Sequence, residues 1–94
     1  MVTSSRQFRT LEDLREYVNE VLRQYEQLEI DAFPMTQRLL VRSGAACGMY
    51  FCLHGPRSVK FSAIWDAAAN AILFYGPAGH RFQKTQLIDA PSLA

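Results

Sequence analysis

The sequence of 94 residues predicts one small α+β domain, in which an N-terminal amphipathic helix packs on an antiparallel β-meander of four or five strands. A chain of this length is sufficient for one hydrophobic core and too short for two. Between residues 11 and 28 the apolar residues recur every three or four positions, which is the period of a helix. Beyond Pro34 the period changes to two and turn-forming residues separate the apolar runs, which is typical of strands.

The helix is predicted from about Leu11 to about Glu29. Thr10 is the predicted N-cap, with Asp13 three residues later in the manner of a capping box. The helix should end before Pro34, because a proline disfavours helical backbone in the residue that precedes it. The apolar stripe consists of Leu11, Leu14, Val18, Val21, Tyr25 and Leu28.

The strands follow in the second part of the chain. Four are predicted, over residues 37–42, 48–54, 59–66 and 71–75, and residues 80–87 are a candidate fifth strand at the edge. The glycines and prolines near residues 55 and 76 predict turns. The two ends of the domain, residues 1–9 and 89–94, are expected to form a flexible arm and a loose tail.

Composition and charge limit the classes of function. The apolar share of 49% and the aromatic share of 12% are those of a globular protein. The net charge is +1, but residues 1–31 have four basic and seven acidic residues, whereas residues 32–94 have six basic and two acidic ones. The sheet half is therefore mildly basic, without the basic run of a dedicated nucleic-acid binder. The polar N-terminus lacks the apolar stretch of a secretory signal, which predicts a cytoplasmic location with reduced cysteines.

Two predicted strands, residues 48–54 and 71–75, are apolar on both faces, whereas a strand with one wet face would alternate. A helix of roughly 18 residues is about 27 Å long and about 10 Å wide, and covers about half of one face of such a sheet. We therefore expect a homodimer that packs sheet on sheet or edge to edge, unless the sheet curves and is closed by the arm and the tail, or a hydrophobic ligand covers it. The predicted interface consists of Tyr50, Cys52, Ile64, Ile72 and Phe74.

The soft metal ligands of the chain are Cys47, Cys52, His54 and His80. Their spacing matches no zinc pattern, so no metal and no cofactor is expected. Cys52 and His54 lie two positions apart on a strand, about 6.5–7 Å at their bases, and no third group is evident to orient a nucleophile–base pair. We therefore predict no catalytic residue, and interpret the cysteines as packing residues.

A cationic edge is the favoured position for any polar ligand. Because alternate turns of a meander lie at the same end of the sheet, the turns near residues 55 and 76 should bring together His54, Arg57, His80 and Arg81. The glycine-rich turn could hold a phosphate with its backbone amides, although it lacks the lysine and hydroxyl residue that end a P-loop. A solvated rim of loops is the plainer interpretation.

Three hypotheses of function remain. The leading one is a non-catalytic interaction or accessory module that forms a homodimer. The second is a nucleic-acid-binding module, because the helix–strand–strand–strand order resembles that of double-stranded RNA-binding domains, although their second helix has no counterpart here. The third is an enzyme or a binder of small anionic ligands that uses the cationic edge. The topology alone also resembles cystatin-like architecture. No membrane partner is expected.

Overall fold

The structure is a computed structural model that describes residues 2–25 and 34–89, with side chains from residue 5 to residue 88 in those ranges. Its elements are one α-helix, one short 3-10 turn and six strands. In chain order they are β1 (Val2–Gln7), α1 (Leu11–Tyr25), β2 (Met35–Arg42), β3 (Ala45–His54), the 3-10 turn (Pro56–Ser58), β4 (Lys60–Asp66), β5 (Ala71–Tyr75) and β6 (Arg81–Asp89).

The six strands form one sheet in the order β1-β6-β5-β4-β3-β2. Strands β2 to β6 are an antiparallel meander, and β1 lies parallel to β6 at the edge. The mixed α+β class and the predominantly antiparallel sheet are confirmed, but the predicted count of four or five strands is wrong. Residues 2–7, predicted as part of a flexible arm, hydrogen-bond to the edge of the sheet as β1. Residues 90–94 of the predicted tail lie outside the described residues.

The helix begins as its capping residues predict. The backbone N–H of Asp13 donates to Oγ1 of Thr10 at 3.0 Å, which satisfies one of the free amides of the first turn. The described helix ends at Tyr25, and the predicted residues 26–29 lie outside the described part of the chain. Its inward stripe of Leu14, Val18 and Leu22 is fully buried against the sheet.

One face of the sheet forms the core with α1, and we call it the helix face. The side chains of β3, β4, β5 and β6 that point to this face are almost fully removed from solvent, which makes it the apolar interior of the domain. They are Met49, Phe51, Leu53, Phe61, Ala63, Trp65, Ile72, Phe74 and Leu87. Burial of this many large side chains is the main stabilisation available to a domain without disulfides.

The register of the β4–β5 hairpin corrects the predicted interface. Asp66 pairs with Ala71, so the strands are joined by residues 67–70, and Trp65 lies opposite Ile72. Ile72 and Phe74 therefore point to the helix face, where both are fully buried. Their assignment to the same surface as Ile64 is wrong, because β5 is apolar at all five positions and its composition does not show which face is which.

Candidate functional site: the open face of the sheet

The second side of the sheet, opposite α1, is the candidate site, and we call it the open face. Its centre is a strip of large side chains in which Tyr50 pairs with Ile64 and Ile64 with Leu73. These three side chains and Tyr75 are half-buried, whereas Cys52 beside them is buried. Among the described residues, no helix or strand lies over this strip, so it is sheltered only by the side chains around it.

Four cations surround the strip. Arg38 lies across from Tyr50, and Lys84 lies across from Leu73. Arg81 pairs with Tyr75 and holds its guanidinium carbon 5.8 Å from the centre of that ring, within the range of a cation–π contact. The fourth cation is Lys60, on β4 at the end of the sheet. Within the described ranges none of the four forms an ion pair with a carboxylate. Long cationic side chains of this kind can cover apolar surface with their stems while their charges stay in water.

Asp66 is the acid at the opposite end of β4 on this face. Its Oδ1 accepts hydrogen bonds from the backbone N–H groups of Ala68 and Ala69, at 3.0 and 3.2 Å. This carboxylate is therefore used to close the turn between β4 and β5. The open face keeps an excess of positive charge that its own acid does not pair.

The predicted cationic edge is divided between the two sides of the sheet. His54 lies at the end of β3 on the open face, where its Nε2 is 3.1 Å from Oγ1 of Thr36. Arg57 is exposed in the 3-10 turn, with a φ of 58°. His80 lies on the helix side, with its Nε2 3.0 Å from the hydroxyl of Tyr25. The two turns share one end of the sheet, but the side chains do not converge on one face.

Arg81 follows His80 directly and lies on the open face instead, against Tyr75. Of the four residues of the predicted edge, the structure therefore brings His54 and Arg81 to the open face, at the end where Lys60 also lies. This places three cationic or titratable side chains beside the apolar strip. They form a border for that strip and not a closed pocket of their own.

The cysteines are both unpaired, Cys47 half-buried and Cys52 buried. Across residues 2–25 and 34–89, no group of three histidine, cysteine, aspartate or glutamate side chains has the arrangement of a metal site. Cys52 and His54 point to the same face, and the described partner of His54 is Thr36. In the part of the chain that the structure describes, no carboxylate or amide contacts His54 to orient it as a base.

Four residues of the site escaped prediction: Leu73, Tyr75, Arg38 and Lys84. The length of the turn between β4 and β5 could have predicted the positions of Leu73 and Tyr75. If four residues join the strands after Asp66, position 66 pairs with 71, and position 64 must then face 73. Once the registers of β2 with β3 and of β5 with β6 are known, the same counting places Arg38 opposite Tyr50 and Lys84 opposite Leu73.

Comparison of the chain with protein-family models, with curated proteins and with solved structures finds no match in any of the three. Within the described ranges, no helix has the length and apolar character needed to cross a membrane.

Proposed function

We propose that the protein is a non-catalytic binding module that takes up single-stranded nucleic acid on the open face of its sheet. The observation that carries this proposal is the combination found there, a half-buried strip with two tyrosines inside a border of unpaired cations. Proteins that bind single strands combine a cationic surface for phosphates with aromatic rings on which bases stack.

The two tyrosines are suitably separated for this role. Tyr50 lies on β3 and Tyr75 on β5, with β4 between them and an offset of two residues along the strands, so their Cα atoms are roughly 12 Å apart. Each ring can take a different base, and Ile64 and Leu73 provide an apolar surface between them. Bases that stack in this way must be unpaired, which favours a single strand over a duplex.

The charge of the border favours a polyanion over a second copy of the same face. A two-fold symmetric dimer places the same surface patch on both subunits, so the border would meet itself. Arg38, Lys60, Arg81 and Lys84 would then approach the same four cations of the partner. Like charges brought together in this way lower the affinity, whereas a phosphate backbone gains from each of them.

The test is fluorescence anisotropy with a labelled single-stranded RNA and DNA of roughly twelve nucleotides. We expect binding that weakens as salt rises from about 50 to about 200 mM. Arg81→Ala should weaken binding, and Arg9→Ala is the matched control, since Arg9 is also an exposed arginine but lies between β1 and α1. Tyr50→Leu should cost about 1–3 kcal/mol of binding free energy through lost stacking.

Three results would contradict the proposal. Absence of binding to both oligonucleotides at low salt would end it. So would binding that Arg81→Ala and Arg9→Ala weaken equally, because the charge would then act from anywhere on the surface. Preference for a duplex of the same sequence would exclude stacking on Tyr50 and Tyr75.

A second candidate, self-association, has one specific observation in its favour. Strand β2 is an edge of the sheet, and it exposes Leu39 at 47% and Val41 at 60%. An edge strand with exposed apolar residues is a template for pairing with another strand. A homodimer joined at β2 would leave the open face free. Sedimentation equilibrium of the intact chain and of Val41→Lys tests it, with a dimer expected for the first and a monomer for the second.

The proposed location is the cytosol. Both cysteines are unpaired, and reduced thiols are typical of that compartment. Mass spectrometry after thiol labelling of the protein from freshly lysed cells should find both thiols unmodified by disulfide formation.

A further inference from the structure

A cavity of about 600 Å³ lies on the helix side of the molecule, away from the open face. It is formed where the second half of α1 passes the edge made by β1 and β6. Cavities of this size take small molecules of the dimensions of a metabolite. Its lining includes Arg6, Tyr17, Glu20, Tyr25, Phe82 and Gln83.

Aromatic rings supply the walls of the cavity. Tyr25 stacks on Phe82 with the ring centres 3.9 Å apart and the planes 22° from parallel. The hydroxyl of Tyr17 lies 2.9 Å from Oγ1 of Thr85 and accepts a bond from Nε2 of Gln83 at 3.3 Å. These contacts fix the positions of the rings, so the walls of the cavity are formed without a ligand.

Opposite charges lie on the same lining. The guanidinium carbon of Arg6 is 5.3 Å from the centre of the Tyr17 ring, and within the described residues it has no carboxylate partner. Glu20, one turn further along α1, accepts a single bond from Nε2 of Gln24 at 3.2 Å. One oxygen of that carboxylate therefore stays available. The guanidinium of Arg6 suits a carboxylate and the carboxylate of Glu20 suits an ammonium group, and both lie on the same lining as the aromatic rings.

We infer that this cavity binds a small aromatic zwitterion of the amino-acid type. The ring of the ligand packs on Tyr17, Tyr25 and Phe82, its carboxylate binds Arg6, and its ammonium group binds the free oxygen of Glu20. A guanidinium recognises a carboxylate through two parallel hydrogen bonds, which explains an arginine at this position. Such a ligand pairs with both charges, whereas an apolar ligand pairs with neither.

The experiment is an NMR titration of the intact, isotope-labelled chain with L-phenylalanine up to about 10 mM, a range that reaches weak binding. The amide signals of Arg6, Glu20 and Gln83 should shift, and those of Ile64 and Leu73 on the open face should not. Arg6→Gln and Glu20→Gln should each weaken binding about tenfold. Arg9→Gln is the matched control, because it removes an equal charge outside the cavity.

Phenylpropionate separates the two charges, because it has the ring and the carboxylate of phenylalanine without the ammonium group. Its binding should be weakened by Arg6→Gln and unchanged by Glu20→Gln. Arg6→Lys, which retains the positive charge, guards against a disturbance of β1 and should bind better than Arg6→Gln. The inference is overturned if phenylalanine shifts no signal, shifts signals elsewhere, or binds equally well to both charge variants. Nucleic-acid binding at the open face is measured separately and should be unaffected by Glu20→Gln.

Discussion

The two faces of the sheet are built from alternate residues of the same strands, yet they differ in almost every property. The helix face is dry: Phe51, Trp65 and Phe74 are covered by α1 and have nearly no exposure. The open face has residues of comparable size, but cations surround them and they stay half-exposed. Apolar composition alone therefore does not define a core. A face of the sheet becomes a core when another element, here α1, covers it.

The largest expected effect compares two neighbours on β5. Phe74→Ala should lower the free energy of unfolding by about 3–5 kcal/mol, because it empties space in a fully buried site. Leu73→Ala should cost only about 1 kcal/mol, since that side chain is half-buried on the open face. Urea denaturation followed by circular dichroism measures both. Equal losses would mean that a partner or another part of the chain covers the open face.

The sequence predicts the helix and four of the strands, but it does not predict β1. The helical period of residues 11 to 28 and the cap at Thr10 predict α1, and the turn residues place β2 to β5 within a few positions. Strand β1 escaped prediction because Val2–Gln7 is mostly polar and owes its extended form to hydrogen bonds with β6, which is distant in the sequence. Long-range pairing of this kind leaves no local signal.

The candidate surface was predictable only in part, for the same reason. Tyr50 and Ile64 lie on one face, as predicted, because the polar residues Lys60, Ser62 and Asp66 of β4 mark the face on which Ile64 lies. Strand β5 has none, so its register depends on the turn before it. The cavity beside α1 could not be foreseen at all, because Arg6 reaches it from a strand that the sequence did not predict.

Substitution of a glycine in β3 tests what fixes the register of this strand, and with it which side chains point to each face. Gly48 pairs with Asp66, and a Cβ at this position would collide with the carbonyl oxygen of Trp65. Gly48→Ala should therefore cost about 2–3 kcal/mol of unfolding free energy, because backbone atoms cannot move aside cheaply. Thermal denaturation of the variant measures the loss.

The control for that substitution lies in the preceding turn. Gly44 has a φ of +79° and open space around it, so Gly44→Ala should cost only about 1 kcal/mol through backbone strain. If both alanine variants lose the same stability, the close approach of β3 to β4 does not fix the register. The pairing of β2 with β3 already shifts its register between Leu40 and Val41, and that shift would then be free to move along β3.

A smaller effect compares two tyrosine hydroxyls on the helix side. Tyr17→Phe should cost about 1 kcal/mol, because Thr85 is fully buried and loses the hydroxyl that lies 2.9 Å from its Oγ1. Tyr25→Phe should cost less than about 0.5 kcal/mol, because its bond to His80 is exposed to water. Urea denaturation at constant pH measures both. The opposite order would indicate that the hydroxyl contact of Tyr25 with His80 contributes more to stability than that of Tyr17 with Thr85.

The smallest expected effect on stability is that of a lysine on the open face. Comparison of its effect on stability with its effect on binding shows whether the open face binds a ligand. Lys60→Ala on the open face should change the unfolding free energy by less than about 0.5 kcal/mol, since the side chain is exposed and forms no ion pair within the described residues. Its effect should appear instead in binding to a single-stranded oligonucleotide. Removing one phosphate contact lowers the salt dependence, the slope of log affinity against log salt, by about 0.7. A Lys60→Ala variant that lost stability but kept the slope of log affinity against log salt would show that the cations of the open face stabilise the fold. The two faces would then differ in burial only, and the open face would have no role in binding.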